Sequence, residues 1–140
     1  MKNVCIIFGG TSTEHEVSRI SASNLIRYID KKKYSVTVME ISKKNEFFLY
    51  EYEPSEAFLK DITSVNNELA KKSITPDISM FEKMGIDIVF PIIHGTIGED
   101  GKLQGFLELC KIPYVGCDVL SSAVCMDKVL CKDILSKNGI

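Results

Sequence analysis

The chain is 140 residues long, 45% hydrophobic and 26% charged, with a formal net charge of −2. This describes one globular domain able to bury a core, and the near-balanced charge gives no bulk electrostatic case for nucleic acid or a membrane surface as partner. No apolar stretch approaches the roughly 20 residues of a membrane span, and the apolar start, residues 4–8, is too short for a signal-peptide core, so a cytoplasmic protein is expected.

Residues 3–8 read as a first strand, apolar on both faces and therefore buried on both. The small-residue loop Gly9-Gly10-Thr11-Ser12-Thr13 follows. A helix is expected over 14–29, with Val17, Ile20, Ser21, Asn24, Leu25 and Tyr28 as its stripe and Ser12 or Thr13 as its cap. Residues 35–41 alternate as a second strand. The aromatic run 46–52 reads as an extra strand in a hairpin with it. Residues 54–60 suit a short helix with Pro54 in its first turn. The polar stretch 61–77 has no period and is expected to be loop, and 78–84 a helical turn before Gly85.

The most informative stretch is 88–110. Ile88-Val89-Phe90 and Ile92-Ile93 form a short buried strand. It breaks into His94-Gly95-Thr96-Ile97-Gly98-Glu99-Asp100-Gly101, and Leu103, Phe106, Leu107 and Cys110 then mark one face of a helix. A very short strand at 113–116 and helices at 120–126 and 128–136 complete the chain. Lys137, Asn138 and Gly139 look like a helix C-terminus, so the chain is expected to stop at a domain boundary. The alternation predicts an α/β fold, a parallel Rossmann-like sheet with helices on both faces. If the two strands preceding the glycine loops are neighbours, both loops meet at one sheet edge, where ligands of open α/β sheets bind.

The five cysteines include no C-x-x-C pair and read as reduced core residues. The first loop does not match G-x-G-x-x-G, and Glu40 is only a weak echo of the acid that pattern requires. Glu14 and Glu16 stand at a helix N-terminus, where carboxylates are favoured as caps. A carboxylate beside a strand-end loop also suits an ammonium ligand. His94 is either structural or an approachable group among glycines, with Glu99 and Asp100 nearby. No histidine or cysteine spacing suggests zinc, so no metal site is expected within the chain. Lys128 is either a solvent lysine or a phosphate contact.

Taken together, GGTSTEHEVS, FPIIHGTIGEDGKLQGFLELCKIPYVGC and SSAVCMDK resemble the D-alanine–D-alanine ligase family, including its variants that use D-serine or D-lactate. The likeness covers both ends of the chain and leaves about residues 42–86 nondescript. It implies the N-terminal, pre-ATP-grasp substrate domain, with the central and C-terminal ATP-grasp domains lying beyond residue 140. It also implies synthesis of D-alanyl-D-alanine for peptidoglycan through an acyl phosphate, using ATP and magnesium, in a protein that is usually a homodimer. Carried over by motif, Glu14 holds the first D-alanine's ammonium, with Ser18 and Gly95 beside it. His94 lies by the reacting carboxylate and phosphate, and Lys128 reaches ATP. The magnesium carboxylates would lie elsewhere. Competing expectations are a non-catalytic α/β nucleotide-binding or association module, and an NAD-dependent enzyme.

Overall fold

The structure is a computed structural model that describes residues 1–52, 55–63 and 71–140, except the side chain of Asp61. Its elements in chain order are β1 (Lys2–Gly9), α1 (His15–Tyr28), β2 (Tyr34–Ile41), β3 (Phe47–Tyr50), α2 (Glu56–Thr63), β4 (Lys71–Ile74), α3 (Met80–Lys83), β5 (Ile88–Ile92), α4 (Lys102–Leu109), α5 (Val119–Met126) and α6 (Lys128–Lys137). Pro54, expected to open α2, lies outside the described residues.

The strands form one sheet in the order β4-β3-β2-β1-β5. β1 runs parallel to both neighbours, with Ile6 opposite Val38 and Phe90. A central parallel strand is covered on both faces, which is why Val4 to Phe8 is apolar without alternation. The alternation lies in which core each residue enters. Val4, Ile6 and Phe8 pack with Ala22, Ile26, Phe58 and Ile62 under α1 and α2. Cys5 and Ile7 pack with Met39, Phe81, Val89 and Leu107 under α3 and α4.

The α/β Rossmann-like fold is therefore present, and its sheet is mixed. β3 pairs antiparallel with β2, as the expected hairpin, and β4 antiparallel with β3. β4 corrects the expectation of loop over 61–77. Its sequence, Lys-Lys-Ser-Ile, is polar because it is an edge strand, and lysines are a common means of blunting such an edge. The short strand at 113–116 reduces to a single parallel bridge between Tyr114 and Val89.

The stripe expected for α1 is also corrected. Val17, Ile20 and Tyr28 are 50%, 52% and 81% exposed. The buried side is His15, Ser18, Arg19, Ala22, Ser23 and Ile26. Ser18, Ala22 and Ser23 at its centre are small, and the helix lies close enough to the sheet for the Ser18 hydroxyl to reach strand backbone. The N-cap residue is Glu14, without a side-chain cap bond, so neither Ser12 nor Thr13 caps the helix as expected. Ser12 instead accepts the Glu14 N–H at 3.2 Å within the preceding turn.

All five cysteines are free, but only Cys5 is a buried core residue; Cys117 and Cys125 are exposed. Burial pushes the Cys5 thiol far above its ordinary range. α6 buries none of its residues, and Val129, Leu130, Ile134 and Leu135 stand 38–73% exposed on it. Asn138 caps its C-terminus and Gly139 follows with φ 75°, the expected helix ending.

Candidate functional site

Phe8 faces Ile92 across the β1–β5 pairing, so both strands end at the same edge. The loops that follow are joined there. The Ser12 hydroxyl donates to the His94 carbonyl at 2.8 Å. The fully buried Ser18 accepts the Gly9 N–H at 2.7 Å and donates to the Ile92 carbonyl. One serine on α1 thus ties both strand ends together, and its hydroxyl is already used within the protein.

Close approach requires glycine at the junction. Gly95 has φ 71°, and a Cβ there would stand 3.0 Å from Glu14 Oε2 and 3.3 Å from Ser12 Cβ. A Cβ on Gly98 would fall 2.1 Å from the Ile93 carbonyl oxygen, closer than any side chain tolerates. The Glu14 carboxylate is therefore held directly against the His94–Gly95 loop. It stands exposed at the start of α1 and has no hydrogen-bond or ion-pair partner among the described residues.

His94 is half-buried, and its Nε2 lies 3.2 Å from Ser21 Oγ. Its ring lines a cavity of about 600 Å³, opposite Val115, Cys117 and Ser121 at the approach to α5 and α5 itself. Glu14, Ser18 and Gly95 are not in that lining; Glu14 stands against Gly95, and Ser18 lies buried beneath the two strand ends.

Glu99 and Asp100 do not reach the His94 ring by any hydrogen bond among the described residues. Each closes its own loop instead: Glu99 Oε2 accepts the Gly95 N–H at 2.7 Å, and Asp100 accepts the N–H groups of Ile97 and Lys102. Burial would raise the Asp100 carboxyl, but the Lys102 ammonium at 2.6 Å and those N–H groups outweigh it and hold it below the ordinary carboxylate range.

Lys128 is exposed at the first position of α6 and does not line the cavity. The structure therefore brings Glu14, Ser18, His94 and Gly95 together, while no hydrogen bond or ion pair among the described residues joins Lys128 to them. Among the described residues no group of three or more His, Cys, Asp or Glu side chains is placed to hold a metal ion. No helix is long and apolar enough to cross a membrane.

Two site residues escaped the sequence. Ser21, assigned above to the helix stripe, orients His94; Glu14, Ser18 and Ser21 at i, i+4 and i+7 share one helix face, and that spacing was the available signal. Gln104 is buried, donates to the Gly98 carbonyl at 2.8 Å, and lines the cavity.

A family model described as D-ala D-ala ligase N-terminus matches residues 3–117. A curated D-alanine–D-alanine ligase of Clostridium acetobutylicum is 46% identical over 139 residues, covering 99% of this chain and 39% of its own length. The VanG D-Ala:D-Ser ligase of Enterococcus faecalis superposes with a TM-score of 0.84 at 37% identity, over 99% of this chain and 42% of its own. A Bacillus anthracis D-alanine–D-alanine ligase complexed with ATP superposes with a TM-score of 0.68 at 30% identity, over 100% of this chain and 37% of its own. The chain spans about two-fifths of the length of the curated relatives it matches.

Proposed function

From the premise that the chain belongs to the D-alanine–D-alanine ligase N-terminal family, we propose that it is the N-terminal substrate domain of an ATP-dependent, cytoplasmic ligase that makes D-alanyl-D-alanine for peptidoglycan. The observation that carries this reading is the junction of the two strand-end loops, which sets an unpaired Glu14 carboxylate against Gly95 beside His94.

Each residue has a stated task. Glu14 pairs with the ammonium of the first D-alanine. Gly95, without a side chain, lets that small substrate lie against backbone. Ser18 holds the frame of both loops. His94, steadied by Ser21, offers a hydrogen bond to the substrate carboxylate as charge develops on it. Lys128 reaches a phosphate of ATP from the start of α6. ATP supplies the phosphoryl group that activates the carboxylate, and magnesium neutralises its charge. The described residues do not fit a magnesium site, so the metal ligands and most of the ATP pocket are assigned to the remainder of the longer protein, and the isolated chain is inactive. The enzyme is a homodimer. The acceptor is D-alanine, with D-serine as the second reading, favoured by the 0.84 TM-score to the VanG ligase; D-lactate is the third.

The test is Glu14→Gln in the full-length protein. Loss of a charge pair with the ammonium raises the KM of the first D-alanine by about 2–4 kcal/mol, with little effect on ATP. A residue acting only as a helix cap would instead cost at most about 1 kcal/mol of stability and leave the kinetics unchanged.

A further inference from the structure

Behind Glu14, on the opposite side of the first turn of α1, lies a buried polar cluster that the reading above does not use. His15 is 4% exposed and Glu40 of β2 is 4% exposed. His15 Nδ1 lies 2.7 Å from the Gly10 carbonyl oxygen, and His15 Nε2 lies 3.3 Å from Glu40 Oε1. The other Glu40 oxygen accepts from the Tyr50 hydroxyl of β3 at 2.5 Å and from the Lys71 ammonium of β4 at 3.0 Å.

A carbonyl oxygen only accepts, so Nδ1 must carry a proton. In a neutral ring Nε2 would then present its lone pair to a carboxylate. Burial pushes the Glu40 carboxyl up, but the bonds from Tyr50 and Lys71 and the charges of Lys71 and Arg19 outweigh it and hold Glu40 ionised. Both ring nitrogens of His15 therefore face acceptors. The remaining charged groups around this first turn are Arg19, whose Nε donates to the Ile62 carbonyl, and Glu16, paired with Lys43 at 3.0 Å.

The same turn is also held through its backbone. Gly10 N–H donates to the Ile41 carbonyl at 2.7 Å, and His15 N–H to the Ser12 carbonyl at 3.3 Å. Gly9, at φ 95°, leaves no room for a Cβ beside the Ile41 carbonyl oxygen at 2.3 Å and His15 Cε1 at 3.0 Å. Among the described residues, the His15 ring is the side chain that bonds this turn to the second strand's acid.

We propose that His15 is a positioning residue for the first-substrate site: its ring, protonated on both nitrogens, ties the Gly10 carbonyl to the buried Glu40 carboxylate and so fixes the turn from which Glu14 projects. The proposal rests on the reading of Glu14 as the ammonium's partner.

The experiment uses the full-length protein. Histidine 15N resonances at neutral pH should show His15 protonated on both nitrogens, and Glu40→Gln should convert it to a neutral ring with the proton on Nδ1. A neutral His15 ring in the unaltered protein overturns the proposal. In kinetics, His15→Phe keeps a flat ring at the site, removes both donors, and should raise the KM of the first D-alanine about tenfold while kcat changes less than about threefold. His15→Arg, which donates in two directions, should recover most of that loss. An unchanged KM in folded His15→Phe also overturns it. If that variant does not fold, Glu40→Gln carries the same KM comparison. Absence of any D-alanine turnover by the unaltered protein would reject the ligase reading, while the ring's protonation state would still decide whether the strut exists.

Discussion

Ser18→Ala separates the frame of the site from its chemistry. Ser18 is fully buried, accepts the Gly9 N–H at 2.7 Å and donates to the Ile92 carbonyl. Alanine fits the space but leaves the Gly9 N–H without a partner in a dry setting, which costs about 1–3 kcal/mol. The Ile92 carbonyl loses less, because a carbonyl has a second lone pair. The expected total is about 2–3 kcal/mol, a large share of a stability of about 5–15 kcal/mol. Urea unfolding of the 140-residue chain measures it, as a lower midpoint at unchanged slope. Ser23→Ala is the internal control: Ser23 is also buried on α1 but only donates, at 3.3 Å, to the Leu59 carbonyl. It should cost less than about 1 kcal/mol. A Ser18→Ala loss below about 0.5 kcal/mol, or no larger than that of Ser23→Ala, would refute the assignment of Ser18 as the tie between the two strand ends.

In the full-length protein, His94→Ala should lower kcat by about 10²–10³ and His94→Gln by less, since glutamine keeps one donor, with both variants melting close to the unaltered protein; a lowered melting temperature with unchanged kcat would make His94 structural. Glu40 gives a pH dependence of known sign. Its folded-state affinity for protons is below the ordinary value of about 4.3, so the unfolded chain binds more protons in that window. The stabilisation is complete above the ordinary value and lost as pH falls through the folded one. Melting temperatures between about pH 6 and pH 3 should therefore fall less steeply in Glu40→Gln than in the unaltered chain.

What the sequence revealed follows from how each element is buried. β1 was legible because a parallel strand covered on both faces is a continuous apolar run; β5 carries the same kind of run but lies at the sheet edge, and only its Val89 is fully buried. Their adjacency, which the sequence left as a condition, is what joins Glu14 to Gly95. β4 was not legible, because an edge strand of Lys-Lys-Ser-Ile carries no apolar alternation. α1 misled for the opposite reason. Its apolar residues Val17, Ile20 and Tyr28 face outward, while Ser18, Ala22 and Ser23 pack inward. Hydrophobic period identifies a core face only where bulk fills the gap, and here hydrogen bonding to strand ends sets the spacing instead. Glu14 and His94 were found by motif and not by physics alone; each had an ordinary structural reading until the loops were seen in contact. His15 had no signal at all, since its partner Glu40 lies a full helix and strand away in sequence.

The most direct test of the central claim is ADP release by the full-length protein on titration with D-alanine at saturating ATP, with the product identified. D-alanine-dependent ADP release should be matched one for one by a dipeptide whose first residue is D-alanine, with none from the isolated 140-residue chain and a raised KM for the first D-alanine in Glu14→Gln. ADP release that is indifferent to D-alanine, or turnover by the isolated chain, would contradict it.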